Sequence, residues 1–309
     1  MRAIGVTEPG GPEQLQVLDV PEREPGPGEV RIAVHAAAVN PTDVGLREGK
    51  GIPDGLEPPH IPGMDAAGVI DAIGSGVELS VGDRVAAVVN PRRPEGGAYA
   101  ERIVVPQSGV ALVPDDLDLT AAATVPLNGL TALRALDLLE LPHAGTLAIT
   151  GAAGGVGGYA VQLATARGYH VVADAKPEDE DLVRSLGADT VLPRGDGFAD
   201  AVREAEPGGV DGLLDAALLG RAALGAVRDG GAIAAVRPFE GEADRGIRIG
   251  LVQPKDYLEH GDRLAELLTM AVDGELTPRI ADTLPATQAA EAQQRLAAGG
   301  VRGRLVLSL

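Results

Sequence analysis

A glycine-rich stretch between two apolar segments constrains the fold of this chain more than any other part of the sequence. Residues 146–150 are apolar, and five glycines lie between Gly151 and Gly158. Residues 159–167 have the composition of a helix, and residues 170–174 form a second apolar segment. The order strand, glycine turn, helix, strand is typical of a dinucleotide-binding βαβ unit.

Glycines at the N-terminus of a helix allow backbone N–H groups to approach a pyrophosphate, and the helix dipole favours its negative charge. Asp174 ends the second segment about twenty residues after the turn, where a carboxylate can accept hydrogen bonds from a ribose. The alternative is an ordinary turn that packs tightly for its own sake, but the flanking pattern favours a coenzyme site. The candidate binding residues of the turn are Gly151, Ala153, Gly154, Gly155, Val156 and Gly157.

Composition excludes several other functions. The formal net charge is −19, with 45 acidic and 26 basic residues among 309, so neither nucleic acid nor an anionic membrane is an expected partner. The absence of cysteine excludes disulfides, a thiol nucleophile and a thiolate metal site. The N-terminus has no apolar signal core, and we find no membrane-spanning run. We therefore expect a soluble cytoplasmic protein.

The pattern of predicted elements changes along the chain and indicates an α/β protein with two domains. Residues 1–120 contain short strand-like runs separated by glycine and proline turns, as in a barrel or sandwich. A helix is predicted over 131–139, and strands and helices alternate from residue 145 onwards, which indicates a parallel sheet. A strand is predicted over 210–215 and helices over 220–228 and 289–298. A further strand, over 247–252, is placed at the sheet edge.

An ordered set of motifs resembles the zinc-free quinone oxidoreductase, or zeta-crystallin-like, branch of the medium-chain dehydrogenase/reductase superfamily. The resemblance covers nearly the whole chain. It implies a GroES-like β-rich catalytic domain (1–120, completed by 258–309), a Rossmann domain (121–257) and an active site in the cleft between them. Besides the glycine turn, the motifs are Asn40-Pro-Thr-Asp43, Pro62-Gly-Met-Asp-Ala-Ala-Gly68, Gly74-Ser-Gly-Val77, Gly82-Asp-Arg-Val85, Gly97-Ala-Tyr-Ala-Glu101, Thr131-Ala132, Ser185-Leu-Gly-Ala-Asp189 and Gly303-Arg-Leu-Val306.

Zinc-dependent members of that superfamily carry a cysteine near position 40 and a histidine after the glycine at 63. This chain has Asn40 and Met64 at those places, and its five histidines have no local metal-ligand spacing. We therefore expect no metal and no zinc.

Without a metal, the reaction requires an acceptor that takes a hydride readily, such as a quinone or an α,β-unsaturated carbonyl. The resemblance places Asn40 and Thr131 near the nicotinamide, although Asn40 can equally be a turn residue before Pro41. Asn128 either lines the pocket or caps the following helix, and capping is favoured. Asp43 is expected to cap a turn and to pair with Arg47. The branch often has a tyrosine where this chain has Gly45, which opens the pocket.

The choice of coenzyme depends on opposing charges after the second strand. Asp174 favours NADH, because a carboxylate accepts ribose hydroxyls and repels a 2′-phosphate. Lys176 and Arg194 can offset Asp174 and bind that phosphate, as in most of the resembling branch. By a narrow margin the sequence favours NADPH over NADH.

The predicted function is NAD(P)H-dependent reduction of a small-molecule quinone or enone. One alternative is an enoyl reductase of a biosynthetic, polyketide-type pathway, and another is a coenzyme-binding protein without turnover. A homodimer is expected, because the family is commonly dimeric and the edge strand over 247–252 invites pairing.

Overall fold

The computed structural model of the chain describes residues 1–239, 244–253 and 256–309. The strands, in chain order, are β1 (Arg2–Gly5), β2 (Gln16–Asp19), β3 (Glu29–Ala38), β4 (Asp65–Ile73), β5 (Arg84–Val88), β6 (Arg102–Pro106), β7 (Val110–Leu112), β8 (Thr146–Thr150), β9 (His170–Ala175), β10 (Thr190–Pro193), β11 (Val210–Asp215), β12 (Val227–Ala235), β13 (Arg248–Leu251), β14 (Ile280–Pro285) and β15 (Arg304–Ser308). The α-helices are α1 (Pro41–Arg47), α2 (Leu119–Ala122), α3 (Pro126–Leu139), α4 (Gly155–Ala166), α5 (Glu180–Ser185), α6 (Phe198–Ala205), α7 (Gly261–Val272) and α8 (Ala289–Ala298).

The chain divides into two units. The first comprises Met1–Leu127, Tyr257–Gly274 and Pro278–Leu309, and the second comprises Asn128–Asp256 with Glu275–Thr277. Helix α3 crosses this division, because its first two residues belong to the first unit. We retain the domain boundaries expected from the sequence, at 120 and 257, as a proposal.

The first unit is built around a mixed sheet in the order β14-β15-β3-β4-β5-β7. The long strand β3 pairs with β15, β4 and β6 along different parts of its length. The C-terminal strand β15 thus completes a sheet that begins more than 250 residues earlier in the chain. The core of this unit consists of Val, Ile, Ala and Leu side chains, and Tyr99 is the largest fully buried side chain among the described residues.

The second unit contains a parallel sheet in the order β10-β9-β8-β11-β12-β13. Its central strands are buried runs of Val, Ile, Leu and Ala, as expected for a sheet that is covered on both faces. The strand order reverses between β8 and β11, and open α/β sheets bind ligands beyond the carboxyl ends of their strands at such a point. The predicted doubly wound parallel sheet is confirmed.

The helix predicted over 220–228 is wrong. Gly220–Ala226 forms 3-10 turns, and β12 begins at Val227. The backbone at Gly220 has a φ of +57°, and the Asp215 carboxylate accepts N–H bonds from both Leu219 and Gly220. This local cap favours a tight turn over an α-helix. Helices α1 and α2 and strands β1, β7 and β14 were not predicted from the sequence.

None of the helices in the described ranges is both long and apolar enough to cross a membrane.

Candidate functional site

The glycine turn of the second unit lies between β8 and α4. Gly151 has a φ of +70°, a left-handed conformation that favours glycine, and its carbonyl oxygen accepts the N–H of Gly154 at 2.9 Å. Helix α4 begins at Gly155. A Cβ atom on Gly157 would lie 2.2 Å from the Gly151 carbonyl oxygen. Helix α4 can therefore lie this close to the turn only with glycine at 157.

Asp174 lies near the end of β9 and faces this turn. Its carboxylate is buried, and Oδ1 accepts the N–H of Ala152 at 3.0 Å. The other oxygen, Oδ2, is buried and has no hydrogen-bond partner among the described residues. Burial raises the pKa of Asp174, and the Ala152 N–H and the charge of Arg194 oppose that rise. This oxygen has a cation nearby but accepts no hydrogen bond from the described residues, so it can accept one from a ligand hydroxyl.

The two cations near Asp174 already have carboxylate neighbours. Arg194 Nε lies 3.9 Å from Asp174 Oδ2, and Lys176 Nζ lies 3.8 Å from Glu178 Oε1. Both cations are about half exposed. The structure thus brings Asp174, Arg194 and the glycine turn together, and it places Lys176 just beyond the end of β9.

Two polar residues that the sequence analysis did not single out join the carboxyl ends of β8 and β11. The Thr150 hydroxyl donates to Asp215 Oδ1 at 2.9 Å and accepts the N–H of Ala217 at 2.9 Å. Both side chains are buried. This pair fixes the sheet at the point where its strand order reverses. A polar residue at the end of each strand was the available signal.

A buried polar cluster lies in the first unit and includes Asn40. The Asn40 amide donates to Asp65 Oδ2 at 2.8 Å and to the Ala38 carbonyl at 3.1 Å. Its oxygen accepts from Arg304 Nη2 at 2.7 Å, and Arg304 also donates to Asp65 at 3.0 Å. Both amide hydrogens of Asn40 are therefore used inside this unit. Asp65 and Arg304 lie in motifs noted in the sequence, but no role was assigned to them.

Asp43 caps helix α1, as predicted. Its carboxylate accepts the N–H of Asn40 at 2.8 Å, the N–H of Gly63 at 3.1 Å and the hydroxyl of Tyr99 at 3.1 Å. Complete burial raises the pKa of Asp43 to about 7, although these hydrogen bonds oppose the rise. The predicted pair with Arg47 is wrong, because that guanidinium donates to Glu48 and to the Gly10 carbonyl.

The substitution Asp43→Asn is expected to flatten the pH dependence of stability between about pH 4 and pH 7. The folded state binds the Asp43 proton more tightly than the unfolded state, in which the ordinary pKa is 3.8. The free energy of unfolding therefore falls as the pH rises through this range, by up to about 1.4 kcal/mol per pH unit from this group. Denaturant unfolding of both proteins from about pH 5 to pH 8 measures the difference in slope.

The control for this prediction is Asp118→Asn. Asp118 caps helix α2, and its pKa is lowered, so its titration lies below the range measured. Parallel stability curves for the wild type and Asp43→Asn would contradict the prediction.

Helix α3 carries the two other candidate residues. Thr131 is buried, Asn128 is half-buried, and their spacing of three places them on one face of the helix. The helix begins at Pro126, five residues before the predicted start at 131. Asn128 is therefore the third residue of α3, so the favoured capping role is wrong. Proline at the first position fits the helix start, where its missing N–H costs no hydrogen bond.

The candidate residues are thus divided between the units. Asn40 belongs to the first unit, whereas Thr131, Asn128 and the glycine turn belong to the second. Across residues 1–239, 244–253 and 256–309, no group of three or more His, Cys, Asp or Glu side chains is arranged to hold a metal ion.

Comparison with known proteins identifies two family matches. Residues 26–115 match the alcohol dehydrogenase GroES-like domain, and residues 186–307 match the zinc-binding dehydrogenase family. Residues 26–115 therefore form the GroES-like domain that the sequence predicted in the first unit.

The curated relatives that are similar in sequence include three oxidoreductases. A trans-enoyl reductase of Aspergillus flavipes is 38% identical over 205 residues, covering 62% of this chain and 59% of that protein. A quinone oxidoreductase of Pseudomonas aeruginosa is 39% identical over 186 residues, covering 58% and 54%. An NADPH-dependent alkenal/one oxidoreductase of Arabidopsis thaliana is 30% identical over 323 residues, covering 99% and 79%. The chain thus spans little more than half the length of the first two relatives.

The solved structures that are similar over the whole chain include two of particular interest. A quinone oxidoreductase from Coxiella burnetii has a TM-score of 0.88 and 27% identity, covering 100% of this chain and 99% of that one. A mycobacterial protein in complex with NADPH has a TM-score of 0.87 and 31% identity, covering 100% of both chains. The GroES-like domain, the parallel sheet and these relatives agree. The chain belongs to the quinone oxidoreductase branch of the medium-chain dehydrogenase/reductase superfamily.

Proposed function

We propose that this protein is an oxidoreductase that uses a nicotinamide coenzyme to reduce a small-molecule quinone or α,β-unsaturated carbonyl. The observation that carries the proposal is the glycine turn with its unpaired acceptor. Glycine at 157 lets α4 approach the turn, and Asp174 Oδ2 is buried beside the turn without a hydrogen-bond partner among the described residues. Both features fit a dinucleotide, whose pyrophosphate and ribose need these two kinds of group.

The residues that would hold the coenzyme are those of the turn, from Gly151 to Gly157, together with Asp174. When bound, the coenzyme supplies a hydride. The backbone N–H groups at the start of α4 would bind the pyrophosphate, and Asp174 would accept a ribose hydroxyl. The Thr150–Asp215 pair holds the ends of β8 and β11 in register beside the turn. The contribution of the protein is thus to bind and orient the reactants.

The acceptor gains negative charge on its oxygen as it is reduced, and hydrogen-bond donors stabilise that charge. We propose Thr131 and Asn128, on one face of α3, as the groups that face the acceptor. Asn40 donates both amide hydrogens within its own cluster. We therefore propose that Asn40 stabilises that cluster and does not donate a hydrogen bond to the substrate.

Of the two nicotinamide coenzymes, we propose NADH. The sequence alone narrowly favoured NADPH. The preference for NADPH depended on Lys176 and Arg194, and each of these cations lies within 4 Å of a carboxylate. Asp174 offers an oxygen to a ribose hydroxyl and repels a 2′-phosphate. The NADPH named for two of the similar proteins supports the other choice, so both coenzymes must be tested.

A second candidate function is reduction of an enoyl group in a biosynthetic pathway. The trans-enoyl reductase of Aspergillus flavipes supports it, as does the space at Gly45. A Cβ atom added at Gly45 would meet only Lys50 Cβ, at the ordinary contact distance of 3.8 Å, so the space beside this glycine is open to at least a Cβ atom. We retain reduction without zinc as a proposal, since the chain has no cysteine. Homodimer formation through β13, an end strand of the sheet order, stays a prediction.

Steady-state oxidation of NADH and NADPH, in parallel, with 1,4-benzoquinone and with a simple enone tests the proposed function. We expect turnover with both acceptor classes and a higher kcat/KM for NADH. If both coenzymes bind but neither is oxidised, these acceptors are wrong, and enoyl thioesters test the second candidate. Failure of both coenzymes to bind would refute the proposal.

A further inference from the structure

The N-terminus of helix α3 is held by a carboxylate that lies 62 residues earlier in the chain. Asp65, the first residue of β4, accepts the N–H of Leu127 through Oδ1 at 2.6 Å. Leu127 is the second residue of α3. The first four N–H groups of a helix have no partner within the helix, and a negative charge there is stabilised by the helix dipole. Asp65 therefore supplies a carboxylate cap to the first turn of α3.

The other oxygen of Asp65 is held just as closely. Oδ2 accepts from Asn40 Nδ2 at 2.8 Å and from Arg304 Nη2 at 3.0 Å, and all three side chains are at most 5% exposed. Burial raises the pKa of Asp65, and the charge of Arg304 is the largest effect that opposes this rise. Arg304 on β15 thus helps to keep the carboxylate charged and oriented.

The hydrogen bond between Asp65 and the Leu127 N–H lies next to the candidate site residues of α3 in the sequence. Leu127 is followed by Asn128, and Thr131 lies one turn further along α3. A small shift of the first turn of α3 would move both side chains relative to a bound reactant. Displacement of a reacting group by about 1 Å can lower the rate about 100-fold.

We propose that Asp65 and Arg304 are positioning residues, which fix the first turn of α3 and thereby place Asn128 and Thr131 for the reaction. This inference rests on the proposed function. It differs from a purely stabilising role in its effect on the site. Removing one partner of a buried ion pair lowers stability in either case, whereas only a positioning role changes the first turn of α3 and kcat. Arg304, on the C-terminal strand β15, is thus connected to α3 through the carboxylate of Asp65.

The test compares Asp65→Leu, which is branched like aspartate but has no acceptor, and Arg304→Met with the wild type in three measurements. Backbone and methyl NMR reports the Leu127 amide, its hydrogen exchange and the Thr131 methyl signal. Coenzyme titration gives Kd, and steady-state kinetics gives kcat and KM. We expect faster Leu127 exchange, a shifted Thr131 signal, a kcat reduced about 10- to 100-fold and a coenzyme Kd within about twofold of the wild type.

The control Asp118→Ala removes the side-chain cap of α2, in which Asp118 accepts the N–H of Thr120 at 2.8 Å. It should lower stability and leave both kcat and the Thr131 signal unchanged. Arg304→Lys keeps a cation with fewer donors and should restore part of kcat. It carries the test if Arg304→Met does not fold.

Three outcomes would overturn the inference. Unchanged Leu127 exchange would mean that Asp65 does not hold α3. Faster exchange with an unchanged Thr131 signal and kcat would mean that the cluster only stabilises the fold. A fall in kcat accompanied by an equal rise in coenzyme Kd would place the effect in coenzyme binding. If the wild type turns over no acceptor, the proposed function fails, and the two NMR signals still decide whether Asp65 and Arg304 place α3.

Discussion

Replacing Gly157 by alanine is expected to weaken coenzyme binding about 100-fold and to lower the melting temperature. The added Cβ would lie 2.2 Å from the Gly151 carbonyl oxygen and 2.9 Å from Ala152 Cα. Both contacts are with backbone atoms, so α4 must move away from the turn. Strain of this kind costs about 1–3 kcal/mol in a packed interior, and the upper end of that range corresponds to about 100-fold in affinity.

Isothermal titration of NADH and NADPH, together with thermal unfolding, measures the two effects of Gly157→Ala. Gly197→Ala is the matched control in the same unit, because a Cβ there would meet nothing within 4 Å. It should change neither quantity appreciably. Coenzyme affinity of Gly157→Ala within about threefold of the wild type would show that the turn does not bind the pyrophosphate.

Asp174→Ser is expected to change the ratio of kcat/KM for NADPH to that for NADH by about 100-fold in favour of NADPH. Serine removes a buried charge that would lie close to a 2′-phosphate. At a separation of about 5 Å and an effective dielectric constant of about 20, that repulsion is worth about 3 kcal/mol. The change also frees Arg194, whose Nε lies 3.9 Å from Asp174, to bind the phosphate.

Parallel kinetics with both coenzymes measures this ratio. Asp181→Ser is the control, since it removes the same charge from an exposed position on α5. Asp174→Asn is a second test, because it removes the charge and keeps an oxygen that can accept the N–H of Ala152. An unchanged ratio in both Asp174 variants would mean that this carboxylate does not face the adenosine ribose.

Much of the second unit was predictable from the sequence, because its elements are specified by short segments. Val210–Asp215 forms β11 over the predicted range, and the turn at Gly151 has the left-handed φ that its glycine permits. Each unit of strand, glycine turn and helix extends over about thirty residues, so its sequence pattern is local and can be recognised without knowledge of the fold. In the first unit, helix α8 was also predicted, from a short local segment that ends at Gly299 and Gly300. The helix over 220–228 failed, because Asp215 caps a tight turn there.

The sequence by itself determined the class of the fold, the family and the glycine turn with Asp174. Only the tertiary structure decided which hydrogen-bond and ion-pair partners the buried polar residues have. Asp65 and Arg304 are 239 residues apart and meet in a buried cluster with Asn40, and the same carboxylate sets the start of α3. Buried polar groups need hydrogen-bond partners, and the fold can supply a partner from any part of the chain. The hydrogen bonds of this cluster therefore depend on burial and not on spacing in the sequence. No local pattern contains that information.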